Sequence, residues 1–177
     1  FLIDIWANFH AHHVYRADPI GIAKTGAHWL SALMLSWVVR KTPKSLLDNA
    51  PLEKLVRDNL KLEKIGEAID AGALRAICIT ASGYSSSQSV NFYDGIESIT
   101  PWTRHARTSS RCKITTEHLM ASSAIPFIFP AVKVGDEFFG DGSMRQLAPI
   151  SPAIHLGATK ILVIGAGRMR EPEEKKN

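Results

Sequence analysis

Alternation between two hydrophobic periods places this chain in the α/β class, with a largely parallel sheet. Segments between residues 3 and 69 carry apolar residues at helical spacing. By contrast, LRAICITAS (74–82) and KILVIGAG (160–167) are nearly continuous apolar runs, as expected of strands buried on both faces. At 177 residues the chain is long enough for one domain with a real core.

The elements follow in order. Residues 3–16 place Ile5, Trp6, Phe9 and Val14 in a rough helical stripe, and ADPIG (17–21) interrupts it. A second helix is expected over 26–41, stopped at Thr42 because a residue before proline is steered away from helical backbone. It contains the most apolar stretch, WLSALMLSWVV (29–39). Crossing a bilayer takes about 20 apolar residues, so this shorter run reads as a core helix or an interfacial one; Trp29 and Trp37 would suit an interface, but aromatics are commoner in a core and burial is expected. In SLLDNAPLEKLVRDNL, Asp48 or Asn49 offers a cap and Pro51 falls near the first helical position; Leu52, Leu55 and Val56 share one face. KLEKIGEAIDAGAL repeats the pattern with Leu62, Ile65 and Ile69, and Gly72 stops it.

The strand 74–82 comes next, then a Gly/Ser-rich turn and a second strand, SVNFYDG (89–95). Residues 96–113 read as irregular and polar, and TTEHLMASSA (115–124) as a short helix. VKVGDEFFGDG has the pattern of a hairpin: VKV, a Gly-Asp turn, then EFF. SPAIHLGA (151–158) is a short helix before the closing run 160–167.

Composition narrows the function. Hydrophobic residues make up 45% and charged residues 21%, ordinary globular values, and the formal net charge is +4. Lys and Arg are scattered, with no run that would serve as a nucleic-acid arm, so nucleic acid is not an expected partner. Mild basicity suits peripheral contact with an anionic membrane surface. Cys78 and Cys112 have no metal-type spacing and make no disulfide scaffold, which points to a reducing, cytoplasmic setting. The chain opens FLIDIW, without Met and without a signal-peptide leader, which is the expectation for a piece of a longer protein whose N-terminal part is missing.

Several short motifs invite a functional reading. HAHH (10–13) puts His10 and His13 on one helix face, but zinc needs further ligands at matched spacing and none is near; a solvated helix face is the better reading. VIGAGRMR (163–170) lacks the third glycine of a dinucleotide fingerprint. GYSSSQS (83–89) nearly copies G-x-S-x-G, the elbow that presents a nucleophilic serine, with Ser85 or Ser86 as the candidate. Ser87 replaces its second glycine, and a strand rather than a helix follows, so a connecting turn is expected. The last candidate is Asp141 in FFGDGSMRQLAP. Phe138 and Phe139 supply an apolar wall, and Gly140 and Gly142 let the backbone come close to another segment. These residues alone leave a turn aspartate and a functional carboxylate equally open.

The order of motifs goes further. ASSAIPFIFPAV (121–132), then FFGDGSMRQLAP, then AIHLGATKILVIG resembles the C-terminal half of patatin-like phospholipases. LLDNAPLEKL (46–55), the two strands and HARTSSR (105–111) are also similar to bacterial members. The resemblance spans roughly residues 46–167 and implies a partial patatin-like domain over 1–177, with a helical stretch at 1–45 and a tail at 168–177. It implies a three-layer α/β/α fold and hydrolysis of lipid acyl esters by a Ser–Asp dyad, without a cofactor or a metal. Asp141 then takes the place of the dyad aspartate. The family's glycine after Asp-Gly is Ser143 here, which tolerates positive φ less well than Gly. The asparagine of the family's N-x-P falls on Leu147, with Pro149 kept, so a polar anchor of the loop is expected to be lost. The family's G-x-S-x-G nucleophile is expected upstream of Phe1, leaving the 177 residues inactive alone. A second reading is a non-catalytic patatin-like module that binds lipid or a partner.

Overall fold

The computed structural model describes residues 7, 9–16, 21, 23, 26–27, 30–31, 45–146 and 150–165, and every structural statement below concerns these. Helix α1 (Ala50–Asn59) begins where expected, with proline in its first turn, where the missing N–H has no intrahelical partner to lose. Asn49 occupies the cap position, but the cap bond comes from its neighbour: the Ala50 N–H donates to Asp48 Oδ1 at 2.9 Å. Helix α2 (Lys64–Asp70) ends before Gly72, whose φ of +71° suits the reversal.

Strands β1 (Ala76–Gly83) and β2 (Ser89–Gly95) pair antiparallel from Ala76↔Gly95 to Ser82↔Ser89. On one side β4 (Arg107–Arg111) runs parallel to β2, and β3 (Thr103–Arg104) is antiparallel to β4. On the other side β6 (Glu137–Asp141) is antiparallel to β1, and β5 (Val132–Val134) closes a hairpin with β6. The order is β3-β4-β2-β1-β6-β5. Helix α3 (Thr116–Ser122) precedes the hairpin, and α4 (Ile150–His155) follows it.

The α/β class stands, and the arrangement is compatible with a three-layer α/β/α fold. Successive residues of β2 explain the layers, because they point to opposite faces. Phe92 faces α3, edge-on to Phe139 at 5.1 Å and to His118 at 4.6 Å between ring centroids. This side holds the core of Ala81, Val90, Phe92, Ile114, Ala121 and Phe139. Tyr93 faces the other way, beside Trp102, which stacks on His155 of α4 at 4.8 Å.

Four expectations change. Strand directions are more mixed than the largely parallel sheet expected, since β2–β4 is the parallel pairing and the other pairings are antiparallel. Residues 84–88 and 135–136 are too short to be anything but hairpin connections, whereas parallel neighbours need a long crossover. Residues 96–113 are not irregular throughout but hold β3 and β4. The buried closing strand at 160–167 is not seen: described residues 160–165 form no strand, and Leu162 and Ile164 are 86% and 88% exposed. An apolar run becomes a strand only where a neighbour completes its ladder, and no described strand pairs with this one.

In the expected helix 3–16, described residues 11–13 form a 3-10 turn instead, with His10 extended before it. Gly26, Ala27, Leu30 and Ser31 are helical, while 32–41 of the expected second helix lies outside the described residues, as do Leu147, Pro149 and 166–177.

Candidate functional site

Asp141 is the last residue of β6, paired with Ala81 of β1. Cross-strand partners share a face, so its side chain emerges on the α3 side, where the core gives way to a cleft. The Asp141 N–H donates to the Ala124 carbonyl just beyond α3 at 2.9 Å. A 3-10 turn, Gly142–Met144, begins at once, and the Ser143 N–H donates to Asp141 Oδ1 at 2.8 Å. Oδ1 is thereby held by the backbone, while Oδ2 accepts nothing from the described residues.

The glycines around Asp141 are there for contact, but for two different contacts. A Cβ on Gly142 would run into the Thr80 carbonyl oxygen, and a Cβ on Gly140 would lie 2.7 Å from Tyr84 Oη. Ser143 has no positive φ: among the described non-glycine residues that conformation belongs to Ser87, Ala106 and Phe127. The family's third glycine is therefore dispensable in this turn.

Strand β6 pairs with β1 only over Ala81–Gly83, so the β1 edge nearer its start is not covered by β6. A cleft of about 560 Å³ opens there. Asp141, Gly142 and Ser143 form one wall; Cys78, Ile79 and Thr80 of β1 form the floor; Pro152, Ala153 and Leu156 bring α4 to the opposite side. Ser122 and Gln146 complete the lining. The cleft is thus mostly apolar, with one carboxylate at its rim. Burial pushes the Cys78 thiol up to about 12, so it lines the cleft as a neutral group.

The remaining sequence candidates resolve separately. Ser85 and Ser86 lie in the β1–β2 turn, where their N–H groups donate to Glu137 Oε1 at 2.8 and 2.6 Å. Glu137 begins β6 and Asp141 ends it, so these serines sit at the far end of the strand, roughly 13 Å away at the usual rise per residue. The connecting turn expected for GYSSSQS is what forms. The His10 ring stacks on those of His12 and His13 around the 3-10 turn, and among the described residues no three His, Cys, Asp or Glu side chains gather as a metal site. Of VIGAGRMR, only 163–165 is described. No helix among the described residues is long and apolar enough to cross a membrane.

Two polar features had no local signal in the sequence. The face of β1 and β2 opposite α3 buries Ser82, Ser89 and Asn91. Thr80 Oγ1 donates to Asn91 Oδ1 at 2.8 Å, Asn91 Nδ2 to the Thr108 carbonyl at 3.1 Å, and Ser89 Oγ to Gln146 Oε1 at 3.1 Å. Ser82 Oγ and Gln146 Nε2 are buried without a partner among the described residues. The second is a Cys–His contact, Cys112 Sγ to His118 Nε2 at 3.5 Å. The Thr115 N–H donates to His118 Nδ1 at 3.0 Å, so the neutral ring carries its proton on Nε2 and cannot take one from the thiol. Burial also pushes Cys112 up and His118 down, opposite to what a thiolate–imidazolium pair requires.

With an apolar cleft, a glycine-flanked aspartate at its rim and helices on both faces of a mixed sheet in hand, comparison with known proteins decides the family. The patatin-like phospholipase model matches residues 2–154. The chain belongs to the patatin-like phospholipase family. The match starts well before the motif-bearing region and ends short of the apolar run 160–167. Patatin-like phospholipases are lipid acyl hydrolases as a group, and an apolar cleft beside a carboxylate is consistent with that chemistry. No curated protein and no solved structure matches this chain.

Proposed function

We propose that this chain is the Asp-bearing portion of a patatin-like serine acyl hydrolase that cleaves lipid acyl esters with a Ser–Asp dyad, Asp141 being the aspartate. The observation that carries this reading is the Asp141 carboxylate itself: one oxygen held by the Ser143 N–H, the other accepting nothing from the described residues where Asp141 lines an apolar cleft. The serine comes from outside the 177 residues, on the family's G-x-S-x-G elbow upstream of Phe1. Without a histidine between them, the carboxylate must touch the serine hydroxyl directly, within about 2.6–3.2 Å. It accepts the hydroxyl proton as the serine oxygen attacks the ester carbonyl, and general-base help of this kind is worth about 10²–10⁴ in rate. The acyl chain lies along Ile79, Pro152, Ala153 and Leu156. The enzyme works in the cytoplasm, peripherally on lipid surfaces, where a net charge of +4 favours anionic headgroups.

The test uses the full-length polypeptide and a short-chain p-nitrophenyl ester. Asp141→Asn should reduce turnover by at least about a hundredfold; turnover equal to the native protein removes the role assigned to Asp141. The position of Ser85 and Ser86 in a hairpin distant from Asp141 favours, as second reading, a non-catalytic module that binds lipid or a partner. The reading frame just upstream of Phe1 separates the two: a G-x-S-x-G there supports the enzyme, and its absence supports the module.

A further inference from the structure

We infer that Gln146 is the positioning residue of the site, tying the turn that carries Asp141 to strand β2 through Ser89. The inference rests on reading Asp141 as the dyad aspartate. Resemblance to the family leads one to look for the loop's polar anchor at Leu147, where the asparagine is absent. The structure provides an anchor one residue earlier, and from a different partner.

The turn after Asp141 is closed within itself. The Ser143 N–H donates to the Asp141 carboxylate, and the Arg145 and Gln146 N–H groups donate to the Gly142 carbonyl at 3.4 and 3.2 Å. Those bonds set the shape of the turn but not its orientation over β1. Gly142 is itself seated against the Thr80 carbonyl, but a glycine lets the chain after it swing unless something beyond it is fixed. Gln146 is fixed: it is 4% exposed, and its Oε1 accepts the Ser89 hydroxyl at 3.1 Å. Ser89 is 0% exposed, is laddered to Ser82 of β1, and donates its N–H to the Ala106 carbonyl at 2.9 Å. It is therefore as immobile a post as the sheet offers. Asp141 is held from the front by Ala124 and β1, and its following turn from behind by Gln146.

The cost of the arrangement points the same way. Gln146 Nε2 is buried without a partner among the described residues. A methionine would fill the same length without a polar group to satisfy, so an amide here serves its bond to Ser89 rather than packing. Small displacements of a catalytic group have large effects on rate, about a hundredfold per ångström, which makes orientation of this turn worth a buried amide.

The experiment compares Gln146→Met, Ser89→Ala and the double variant in the full-length polypeptide on p-nitrophenyl butyrate, with kcat expressed per folded molecule and Asp141→Asn alongside. Each single variant is expected to lower kcat by about tenfold with KM within about twofold, as befits a misaimed carboxylate rather than a lost substrate contact. The double variant should be no slower than the slower single, because both remove the same hydrogen bond. A kcat unchanged in Gln146→Met while Asp141→Asn is dead overturns the role of Gln146 and leaves the dyad standing. Additive losses overturn it as well. An active Asp141→Asn removes the dyad reading and this inference with it. Should Gln146→Met fail to fold, Ser89→Ala removes the same bond from the strand side at the loss of a single oxygen atom, and unchanged kcat there is equally decisive.

Discussion

Gly142→Ala tests how the Asp141 turn is seated. The added methyl would collide with the Thr80 carbonyl oxygen and come within 2.9 Å of its carbon. Neither atom can retreat, because Thr80 lies mid-strand and is paired with Asn91 by the β1–β2 ladder and by a side-chain bond. Overpacking against a fixed backbone costs about 1–3 kcal/mol. Gly140→Ala provides the contrast, since its methyl would meet only the hydroxyl end of Tyr84, a 44% exposed side chain that can swing aside. That change should cost about 1 kcal/mol or less. Gly66→Ala completes the series: it lies in α2 with nothing within 4 Å of an added Cβ, so helix propensity should stabilise it by about 0.5–1 kcal/mol. Urea unfolding at equal slope reads all three, with the Gly142→Ala midpoint falling by about 1 M for a 2 kcal/mol loss. A Gly142→Ala protein within about 0.3 kcal/mol of native, or one more stable than Gly140→Ala, would refute the reasoning.

Two other outcomes follow from buried titrating groups. Burial holds His118 below its ordinary value, so the folded state keeps it neutral while the unfolded chain binds a proton from about pH 6.5 downward. Its contribution to stability is therefore complete above that pH and is lost as pH falls through the depressed folded value. Urea midpoints measured between about pH 7.5 and 5 should fall more steeply for the native protein than for His118→Gln; parallel curves would remove His118 as the cause. Cys78, pushed up to about 12 by burial, should react with iodoacetamide at pH 8 at least about a hundredfold more slowly in the folded protein than in urea. Equal rates would show that the thiol is not enclosed.

Features that depend on neighbours in the chain were legible. The α1 start at Pro51, the Gly72 stop, the β5–β6 hairpin and the close approach of Gly140 and Gly142 all follow from local chemistry. Strand direction was not, since it depends on whether a connection is a turn or a crossover; the reading of residues 84–88 as a turn already implied an antiparallel pair. The run 160–165 was misread because apolar periodicity reports what a segment could bury, not whether a ladder awaits it. Gln146 was missed for a related reason. Its partner Ser89 is 57 residues away, and neither residue stands out in its own surroundings. A glutamine buried beside a glycine turn can be recognised only once the sheet has brought β2 beneath it.

The β1–β2 turn shows how a motif of letters can part company with a motif of shape. Glu137 grips this turn by backbone amides, so the identity of Ser85 matters little to it, while the Ser86 hydroxyl accepts the Gln88 N–H at 3.3 Å and serves the turn rather than a reaction. Ser87 carries φ +56°, a conformation that glycine adopts more easily. Ser87→Gly would relax the hairpin and, in the same stroke, complete the string G-Y-S-S-G. A motif search would then report a nucleophile where the backbone runs straight on into a strand. Natural drift at this single position could create or erase the signature of an enzyme without altering any chemistry, and annotation that relied on the string would change with it.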